Sequence, residues 1–388
     1  MSRFLPEERA QILESADRLA RERLAPLAPR MDAEEWWPDE AFRALGEEGF
    51  LGVTVPPELG GAGLDLFASG LVAQAFARWN HAFALSWVAH ENLCLNNILR
   101  NANDEQRERL VPPLCDGSQI GCLALTEPGA GSDALGSMAT TAVRDGDDYV
   151  VNGRKLYITN GPVADVALLY AKTDPSRGAH GISAFVVDMA SPGVSVAKKL
   201  VKMGFRGSQT AELAFDDCRV PVANRLGGEN TGVACLMSGL DLERAMIPPI
   251  CVGIAERALE LSVAHAQSRK QFGEPIANFQ MIQSRLADMV VAIDTMRVYD
   301  YHCLEALNDL GREEGGRGWA HSLSATSVLY AADSLNRVLD HAVQIHGGAG
   351  YIWDTEINRL YRTIKLLEIG AGTTEVRKLI IARELLKG

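Results

Sequence analysis

The sequence predicts an α+β protein in which a helical unit, a β-rich unit and a second helical unit follow one another. Three observations predict this. The first 120 residues have helical patterns separated by turn signals, residues 121–229 contain short β-rich runs, and helical periodicity returns from residue 230. With 388 residues, 47% hydrophobic and 23% charged, the chain is long enough for two or three packed units. We therefore predict domains at 1–120, 121–229 and 230–388.

The N-terminal unit reads as helices joined by loops. The segment VPPELGGAG at 55–63 is rich in Pro and Gly and predicts a loop. The predicted helices cover residues 7–30, 39–48, 66–79, 82–101 and 104–116.

The middle unit has the texture of a β-domain. Its apolar runs are short and are separated by DG, NG and PG pairs, which favour tight turns. The predicted strands include TTAVRD, DYVVNG, KLYITNG, VALLYAKT, ISAFVVD and TAELAFDDCRV.

The C-terminal unit is predicted to contain long amphipathic helices. One apolar stripe recurs at intervals of three and four residues, and a second long helix is expected at about 318–345. GREEGGRG at 311–318 predicts the loop between them. The stripe consists of Phe279, Ile282, Leu286, Met289, Ile293 and Met296.

Charge and composition exclude several classes of protein. The formal net charge of -12 argues against a nucleic-acid partner, which needs a basic surface. The N-terminal segment lacks the apolar core of a secretory signal, and no apolar run approaches the roughly 20 residues of a membrane span. Seven scattered cysteines without CxxC and eight histidines without ligand spacing predict neither disulfides nor a metal. We expect a cytoplasmic protein in a reducing compartment, without a membrane association.

The segment LALTEPGAGSDALG at 123–136 is the first that suggests chemistry. Its glycines allow a ligand to approach the backbone, and its hydroxyls and amides can hold phosphate or a heterocycle. Such a loop is more often only a loop, and it lacks the spacing of GxGxxG or of a Walker motif. By itself it leaves the ligand open.

Four blocks, in order along the chain, resemble the acyl-CoA dehydrogenase family. TEPGAGSD resembles its first signature and RKQFGEPIANFQMIQSRLADM at 269–289 its second. QIHGGAGY at 344–351 and EIGAGTTEVRKLIIARELL at 368–386 match two further blocks. The resemblance implies an N-terminal helical domain, a middle β-barrel-like domain and a C-terminal four-helix bundle, assembled as a homotetramer (a dimer of dimers).

The resemblance also implies FAD, bound between domains and across a subunit boundary. Thr159 is expected near the reactive flavin N5, and Arg269 suits the pyrophosphate because its guanidinium is a planar, permanently charged donor. In isolation, Arg269 would be read as a surface charge. The residues that the resemblance assigns to FAD are Leu123, Leu125, Thr126, Gly131, Ser132, Tyr157, Ile158, Thr159, Arg269, Phe272, Gln280, Gln344, Ile345, Gly347, Gly348, Thr373, Thr374 and Glu375.

The catalytic base is predicted to be Glu243. Many family members carry a glutamate in a YEGT-like block, where this chain has Gly370-Ala371-Gly372-Thr373. The isovaleryl-CoA dehydrogenase branch also has IGAGT here and places its base in a GLDLER-like segment, which this chain has within 237–244. Alone, Glu243 would be read as a solvated helix residue. The resemblance implies that it removes the α-proton while hydride leaves Cβ for flavin, giving a trans-2-enoyl product, with the Ala371 N–H on the thioester oxygen.

The small residues Gly370 and Ala371 leave room for a short or branched acyl chain, and a larger branched, terpenoid or aryl acyl thioester is an equal alternative. Several positions depart from the isovaleryl-type pattern. Trp87 and Glu91 are expected near the acyl pocket, Tyr157 replaces a Trp, Ala234 replaces a Tyr, and Pro248-Pro249 should stop or kink the Glu243 helix. The residues assigned to substrate are Ser132, Ala179, His180, Asp241, Arg244, Gly370, Ala371 and Gly372.

The sequence leaves the following alternatives open. The expected partners are an acyl-CoA substrate and an electron-transfer flavoprotein that accepts the electrons. An acyl-CoA or nitroalkane-type flavin oxidase would use the same FAD blocks, and a dehydrogenase of an acyl-carrier-protein thioester would meet the same phosphopantetheine arm. A non-catalytic flavin- or CoA-binding scaffold would show no flavin bleaching by any acyl-CoA.

Overall fold

The N-terminal part of the computed structural model, which describes residues 4–310 and 314–387, is helical. The predicted break between helices at 66–79 and 82–101 falls at Asn80, whose backbone leaves the helical region (φ -150°, ψ 83°). Its Oδ1 accepts from Phe83 N, so the side chain caps the helix that restarts. The α-helices are α1 (Glu7–Leu19), α2 (Ala28–Glu34), α3 (Asp39–Glu47), α4 (Leu66–Val88), α5 (Asn97–Asn101), α6 (Asp104–Leu110) and α7 (Pro112–Cys115), with π-helical turns at Ala20–Leu24 and Ala89–Asn96.

The middle part is one eight-stranded sheet. Its order is β6-β7-β3-β2-β4-β5-β8, and β1 pairs with β4. The predicted runs DYVVNG and KLYITNG form a single strand, and β1 and β6 were not among the predicted strands. The strands are β1 (Gly121–Ala124), β2 (Thr141–Asp145), β3 (Asp148–Thr159), β4 (Val166–Lys172), β5 (Ile182–Asp188), β6 (Val194–Lys199), β7 (Thr210–Pro221) and β8 (Arg225–Leu226).

The sheet does not close. Its end strands β6 and β8 are not paired with each other within the described residues. The barrel-like description is therefore not confirmed, because a barrel requires its first and last strands to share hydrogen bonds.

The C-terminal part is helical apart from a small hairpin, β9 (Lys270–Gln271) and β10 (Glu274–Pro275). The predicted long helices at 279–296 and 318–345 are confirmed, and residues 311–313 of the predicted loop lie outside the described residues. The α-helices are α8 (Gly232–Ala245), α9 (Ile247–Ser268), α10 (Gln280–Leu307), α11 (Gly318–His346), α12 (Gly348–Tyr351), α13 (Glu356–Tyr361), α14 (Ile364–Ile369) and α15 (Thr374–Leu386).

Two prolines stop the helix that carries Glu243, as predicted. Helix α8 ends at Ala245, Met246 interrupts the hydrogen-bonding pattern, and α9 restarts with Pro248 and Pro249 in its first turn. Proline is tolerated there because the first N–H groups of a helix have no partner within it. The break places Glu243 in the last turn of a short helix.

The cores explain how α8 is held. One core joins the N-terminal and C-terminal helices, and another fills the far face of the sheet. A third lies between the near face of the sheet and the helices over it, where Tyr170 of β4 packs with Cys94 and with Cys235 and Leu236 of α8. Helix α8 is therefore fixed between the sheet and the helical layer.

Within residues 4–310 and 314–387, no helix is long and apolar enough to cross a membrane, and no group of three or more His, Cys, Asp or Glu side chains could hold a metal. All seven cysteines are buried free thiols.

Candidate active site

Glu243 is a partly buried carboxylate with an elevated pKa. It lies two residues before the end of α8 and accepts no hydrogen bond from the described part of the chain. Removal of water by the surrounding protein raises the pKa of Glu243 to about 7, and the adjacent Arg244 opposes this shift. A carboxyl with a pKa in this range can act as a general base near neutral pH.

Arg244, next to Glu243, is held by a buried network around Asp241. Nδ1 of His321 lies 2.8 Å from Oδ1 of Asp241, and Nη1 of Arg244 lies 3.4 Å from the same oxygen. Ser324 Oγ and Gly316 N also donate to this carboxylate. Although burial opposes ionisation, the hydrogen bonds from His321 and Gly316 lower the pKa of Asp241. The surrounding donors therefore hold Asp241 as a carboxylate.

The environment of Asp241 differs from that of the other residues that were assigned to substrate. Its side chain is completely buried, and both oxygens accept hydrogen bonds from the protein. The structure gives it the role of holding Arg244 and His321, which lie on α8 and α11. Its assignment to substrate stays a prediction.

The loop 370–373 lies against Arg244. Nε of Arg244 donates to the carbonyl oxygen of Ala371 over 3.2 Å. Ala371 adopts the left-handed conformation with φ 53°, and its N–H has no acceptor within the described residues. The structure therefore brings Gly370, Ala371 and Gly372 to the helix that carries Glu243, with a free backbone donor among them.

The glycine-rich loop at 125–133 is anchored from below by a buried ion pair. Lys155 Nζ lies 2.8 Å from Oε1 of Glu127, with side-chain exposures of 0% and 4%. Glu127 also accepts from the backbone N–H groups of Ala139 and Thr140, and Leu156 N donates to the Thr126 carbonyl. These bonds hold the loop beside the end of β3, which carries Tyr157 and Thr159.

The surfaces of this loop fit the flat rings and phosphates of FAD. Tyr157 is 66% exposed, and the space around Gly129 and Gly131 is open. Leu123, Leu125, Thr126 and Thr159 are partly buried, and Ser132 is exposed. Ile158 is only 2% exposed, because a register shift in β3 between Lys155 and Ile158 turns its side chain into the core of the sheet, so that only its backbone can meet a ligand.

A second set of the predicted FAD residues lies at one end of the helical domain. Arg269 ends α9, Phe272 is 95% exposed in the following hairpin, and the Phe272 and Phe279 rings pack 6.1 Å apart beside Gln280. His265 of α9 and His346 of α11 stack at 4.5 Å, which brings Arg269 near the end of α11. Gln344, Gly347 and Gly348 are exposed there, while the Ile345 side chain is buried.

The remaining assigned residues are distributed as follows. Thr373 caps α15 by accepting from Val376 N, which places Thr374 and Glu375 in its first turn. Ala179 and His180 lie in the turn Pro175–Gly181, which packs against α8. Ala234, at the start of α8, is exposed.

Trp87 and Glu91 hold a loop. Trp87 is fully buried, and its Nε1 donates to the Phe50 carbonyl over 2.7 Å. Glu91 accepts from Gly52 N and Val53 N at 2.9 and 2.6 Å. These hydrogen bonds tie both side chains to the backbone at 50–53, and the Trp87 ring also packs edge-on against Phe76 at 5.5 Å. Their expected position near the acyl pocket stays a prediction.

The sequence analysis missed four residues of the site: Lys155, Tyr170, His321 and Arg377. Tyr170 is completely buried, its hydroxyl has no partner in the described part of the protein, and it lies close enough to Glu243 to interact electrostatically. No motif marks these positions. The partners of Lys155 and His321 are at least 28 residues distant along the chain, and Arg377 binds a pair of backbone carbonyls.

The chain matches known proteins over its whole length. Family models of the N-terminal, middle and C-terminal acyl-CoA dehydrogenase domains match residues 6–118, 122–218 and 230–386. A mitochondrial isovaleryl-CoA dehydrogenase of Pongo abelii is 42% identical, over 98% of this chain and 89% of that protein. The solved butyryl-CoA dehydrogenase of Megasphaera elsdenii is 34% identical with a TM-score of 0.93, covering 98% of this chain and 99% of that one. The solved prolyl acyl carrier protein oxidase AnaB is 31% identical with a TM-score of 0.92, covering 98% and 99%. This protein therefore belongs to the acyl-CoA dehydrogenase family of FAD-dependent oxidoreductases.

Proposed function

We propose that this enzyme removes two hydrogens from Cα and Cβ of a short, branched acyl-CoA thioester, of the isovaleryl-CoA type, to form the 2-enoyl-CoA. The observation that carries the proposal is the pairing of Glu243, a carboxylate with a raised pKa, with an Ala371 backbone N–H that has no acceptor in the described structure. The first can take the α-proton and the second can bind the thioester oxygen.

Glu243 holds the proton that leaves Cα. An α-proton beside a thioester is far less acidic than a carboxylic acid, so the site must strengthen the base and stabilise the enolate together. Partial burial of Glu243 supplies the first effect. The Ala371 N–H supplies the second, because the developing oxyanion accepts a hydrogen bond more strongly than the ground-state carbonyl.

FAD, when bound, accepts the hydride that leaves Cβ and so completes the double bond. Of this chain's residues, Leu123–Ser132 and Tyr157–Thr159 would hold the flavin. Arg269, Phe272, Gln280 and the 344–348 segment would hold the FAD of a neighbouring subunit, and Thr373–Glu375 would close the site. The homotetramer, the electron-transfer flavoprotein as acceptor, the cytoplasmic location and the division at residues 120 and 229 stay predictions.

The loop 370–372 supports a branched acyl chain. Ala371 carries only a methyl group where many relatives carry a glutamate, and a side chain at Gly370 would meet only the Leu366 carbonyl within 4 Å. The space next to Cα and Cβ is therefore free for a methyl branch.

A thioester on a carrier protein is the second candidate. It is favoured by the close structural similarity to a prolyl acyl carrier protein oxidase. Both forms of substrate present the same phosphopantetheine arm, so the two candidates differ only in the contacts beyond this arm. Ala234 is exposed and lies on α8, which packs against the turn that holds His180. Its small side chain is expected to make few contacts with CoA.

Anaerobic titration of the yellow protein tests both candidates. The acyl donors are isovaleryl-CoA, n-butyryl-CoA, 2-methylbutyryl-CoA and an isovaleryl group on a phosphopantetheinylated carrier protein, with flavin absorbance as the readout. Rapid bleaching by the branched CoA thioesters supports the proposal. Bleaching by the carrier-bound thioester alone supports the second candidate, and bleaching by none contradicts both.

A further inference from the structure

Arg377 is a buried guanidinium whose hydrogen bonds go to backbone carbonyls. It lies on α15 and is completely buried, and within the described residues Glu368 acts on it electrostatically without forming an ion pair. Its Nη1 donates to the Leu367 carbonyl over 3.0 Å, and its Nη2 donates to the Gly370 carbonyl. Burial lowers the pKa of Arg377 to about 10. A buried charge is costly unless it is hydrogen-bonded, and the two carbonyl contacts offset part of this cost.

The second of these contacts determines the direction of the free donor. The Gly370 carbonyl and the Ala371 N–H belong to one planar trans peptide, in which the two groups point in opposite directions. By binding the carbonyl, Arg377 orients the Ala371 N–H away from α15. That N–H has no acceptor among the described residues.

Arg244 restrains the next peptide of the loop. Its Nε binds the Ala371 carbonyl at 3.2 Å, and Asp241 holds its guanidinium. The left-handed conformation of Ala371, with φ 53°, costs about 1–2 kcal/mol for a residue with a Cβ. Each peptide that flanks Ala371 is thus bound by one arginine, and together they hold this strained residue in one conformation.

We infer that Arg377, together with Arg244, is a positioning residue that preorients the Ala371 N–H toward the thioester oxygen. This inference rests on the proposed function. It gives Arg377 a part in enolate stabilisation without any contact with substrate, since a donor that is already oriented needs no reorganisation when charge develops. The alternative role is that of a helix cap, because Leu367 lies in the last turn of α14.

The two roles differ in whether the thioester carbonyl of a bound ligand is polarised by a hydrogen bond. The probe is 3-methylbut-2-enoyl-CoA carrying carbon-13 at the thioester carbonyl, whose NMR signal moves downfield when its oxygen accepts a strong hydrogen bond. The variant is Arg377→Met. The matched control is Arg107→Met, because Arg107 also donates to a carbonyl in a short helix, that of Leu99 in α5, at 2.9 Å. Arg377→Lys, which keeps the charge but not the two-pronged donor, serves if Arg377→Met does not fold.

We expect the downfield shift in the parent protein and in Arg107→Met, its loss in Arg377→Met, and an intermediate shift in Arg377→Lys. Flavin reduction by isovaleryl-CoA should slow about 100-fold in Arg377→Met, as for the loss of an oxyanion donor, while the variant keeps its FAD and still binds the probe. A full shift in Arg377→Met or Arg377→Lys would overturn the inference and leave the proposed function intact. A parent protein that neither binds the probe nor is bleached by any thioester would overturn both.

Discussion

The Nε of Arg244 donates to the Ala371 carbonyl oxygen over 3.2 Å, linking the helix that carries the base to the loop that carries the backbone donor. Arg244 follows Glu243 directly in the chain. The residue that carries the carboxylate and the residue that carries the donor N–H are therefore connected through Arg244 and one charge-assisted hydrogen bond. Proton removal occurs at Cα and oxyanion stabilisation at the carbonyl oxygen, two bonds away. The link therefore holds the helix of the base and the loop of the donor next to each other.

The pH dependence of kcat/KM should report the ionisation of Glu243. Its pKa is raised to about 7, above the ordinary value of a glutamate, and only the carboxylate can accept a proton. We expect kcat/KM to rise with pH through about 7 and then to level off. Stopped-flow flavin reduction between pH 5 and 9 measures this limb. An activity that is already constant between pH 5 and 6 would contradict the assignment.

Asp300 should make the protein less stable as the pH rises. It is completely buried, neither of its oxygens has a partner in the described structure, and burial raises its pKa well above the usual value. The native state keeps the proton while the unfolded state releases it above about pH 4, so the free energy of unfolding falls from there upward. Asp300→Asn should reduce this slope, and Asp300→Val should stabilise by about 1–3 kcal/mol at pH 8.

Urea unfolding at pH 5 and pH 8 measures both effects for Asp300. The matched control is Asp104→Asn, a substitution of an exposed aspartate on α6, for which no change in slope is expected. A destabilised Asp300→Val protein would show that the carboxyl has a partner in solution.

Glu91 should affect stability and leave substrate preference unchanged. Its two oxygens accept the N–H groups of Gly52 and Val53. Glu91→Ala leaves both buried donors without an acceptor, at about 1–3 kcal/mol each, while Glu91→Gln keeps one acceptor and should lose less. Thermal unfolding measures the loss. A changed order of preference among the acyl-CoA thioesters, measured by flavin bleaching in the titration, would instead place Glu91 in the acyl pocket.

Lys155 should control retention of FAD. Removing one partner of a buried ion pair is expected to cost about 3–5 kcal/mol, and Lys155→Met leaves Glu127 uncompensated beneath the glycine-rich loop. We expect faster release of FAD, measured by the fluorescence of free flavin. Lys172→Met is the control, since Lys172 contacts the nearby Gly136 carbonyl without an ion pair. Equal FAD release by the two variants would contradict the role of the pair.

Sequence patterns were sufficient to predict structural features that are determined by residues close together in the chain. The helix breaks at Asn80 and at Met246 follow from a residue that caps its own restart and from two prolines in a first turn. Closure of the sheet is not local, since it depends on pairing between β6 and β8, whose residues are far apart in the chain. The barrel-like expectation was therefore beyond what strand patterns can decide.

The same distinction applies to the site. The base was assigned to Glu243 because its segment is recognisable and Ala371 replaces the usual glutamate, and the structure adds its partial burial and raised pKa. Its role as the base stays a prediction. The neighbours that define its function could not be predicted. His321 meets Asp241 across 80 residues, and Arg377 acts on carbonyl oxygens, which leave no mark in a sequence. The buried position of Asp241 likewise depends on α11, so its motif alone indicated substrate.

The most direct test of the central claim is anaerobic stopped-flow reduction of the flavin by isovaleryl-CoA in the parent protein and in Glu243→Gln, with Glu105→Gln, a substitution of an exposed glutamate on α6, as the control. If Glu243 is the base, its replacement should slow flavin reduction by at least about 100-fold while the protein keeps its FAD and still binds the thioester. The control should reduce at the parent rate. Near-normal reduction in Glu243→Gln would show that another group removes the α-proton.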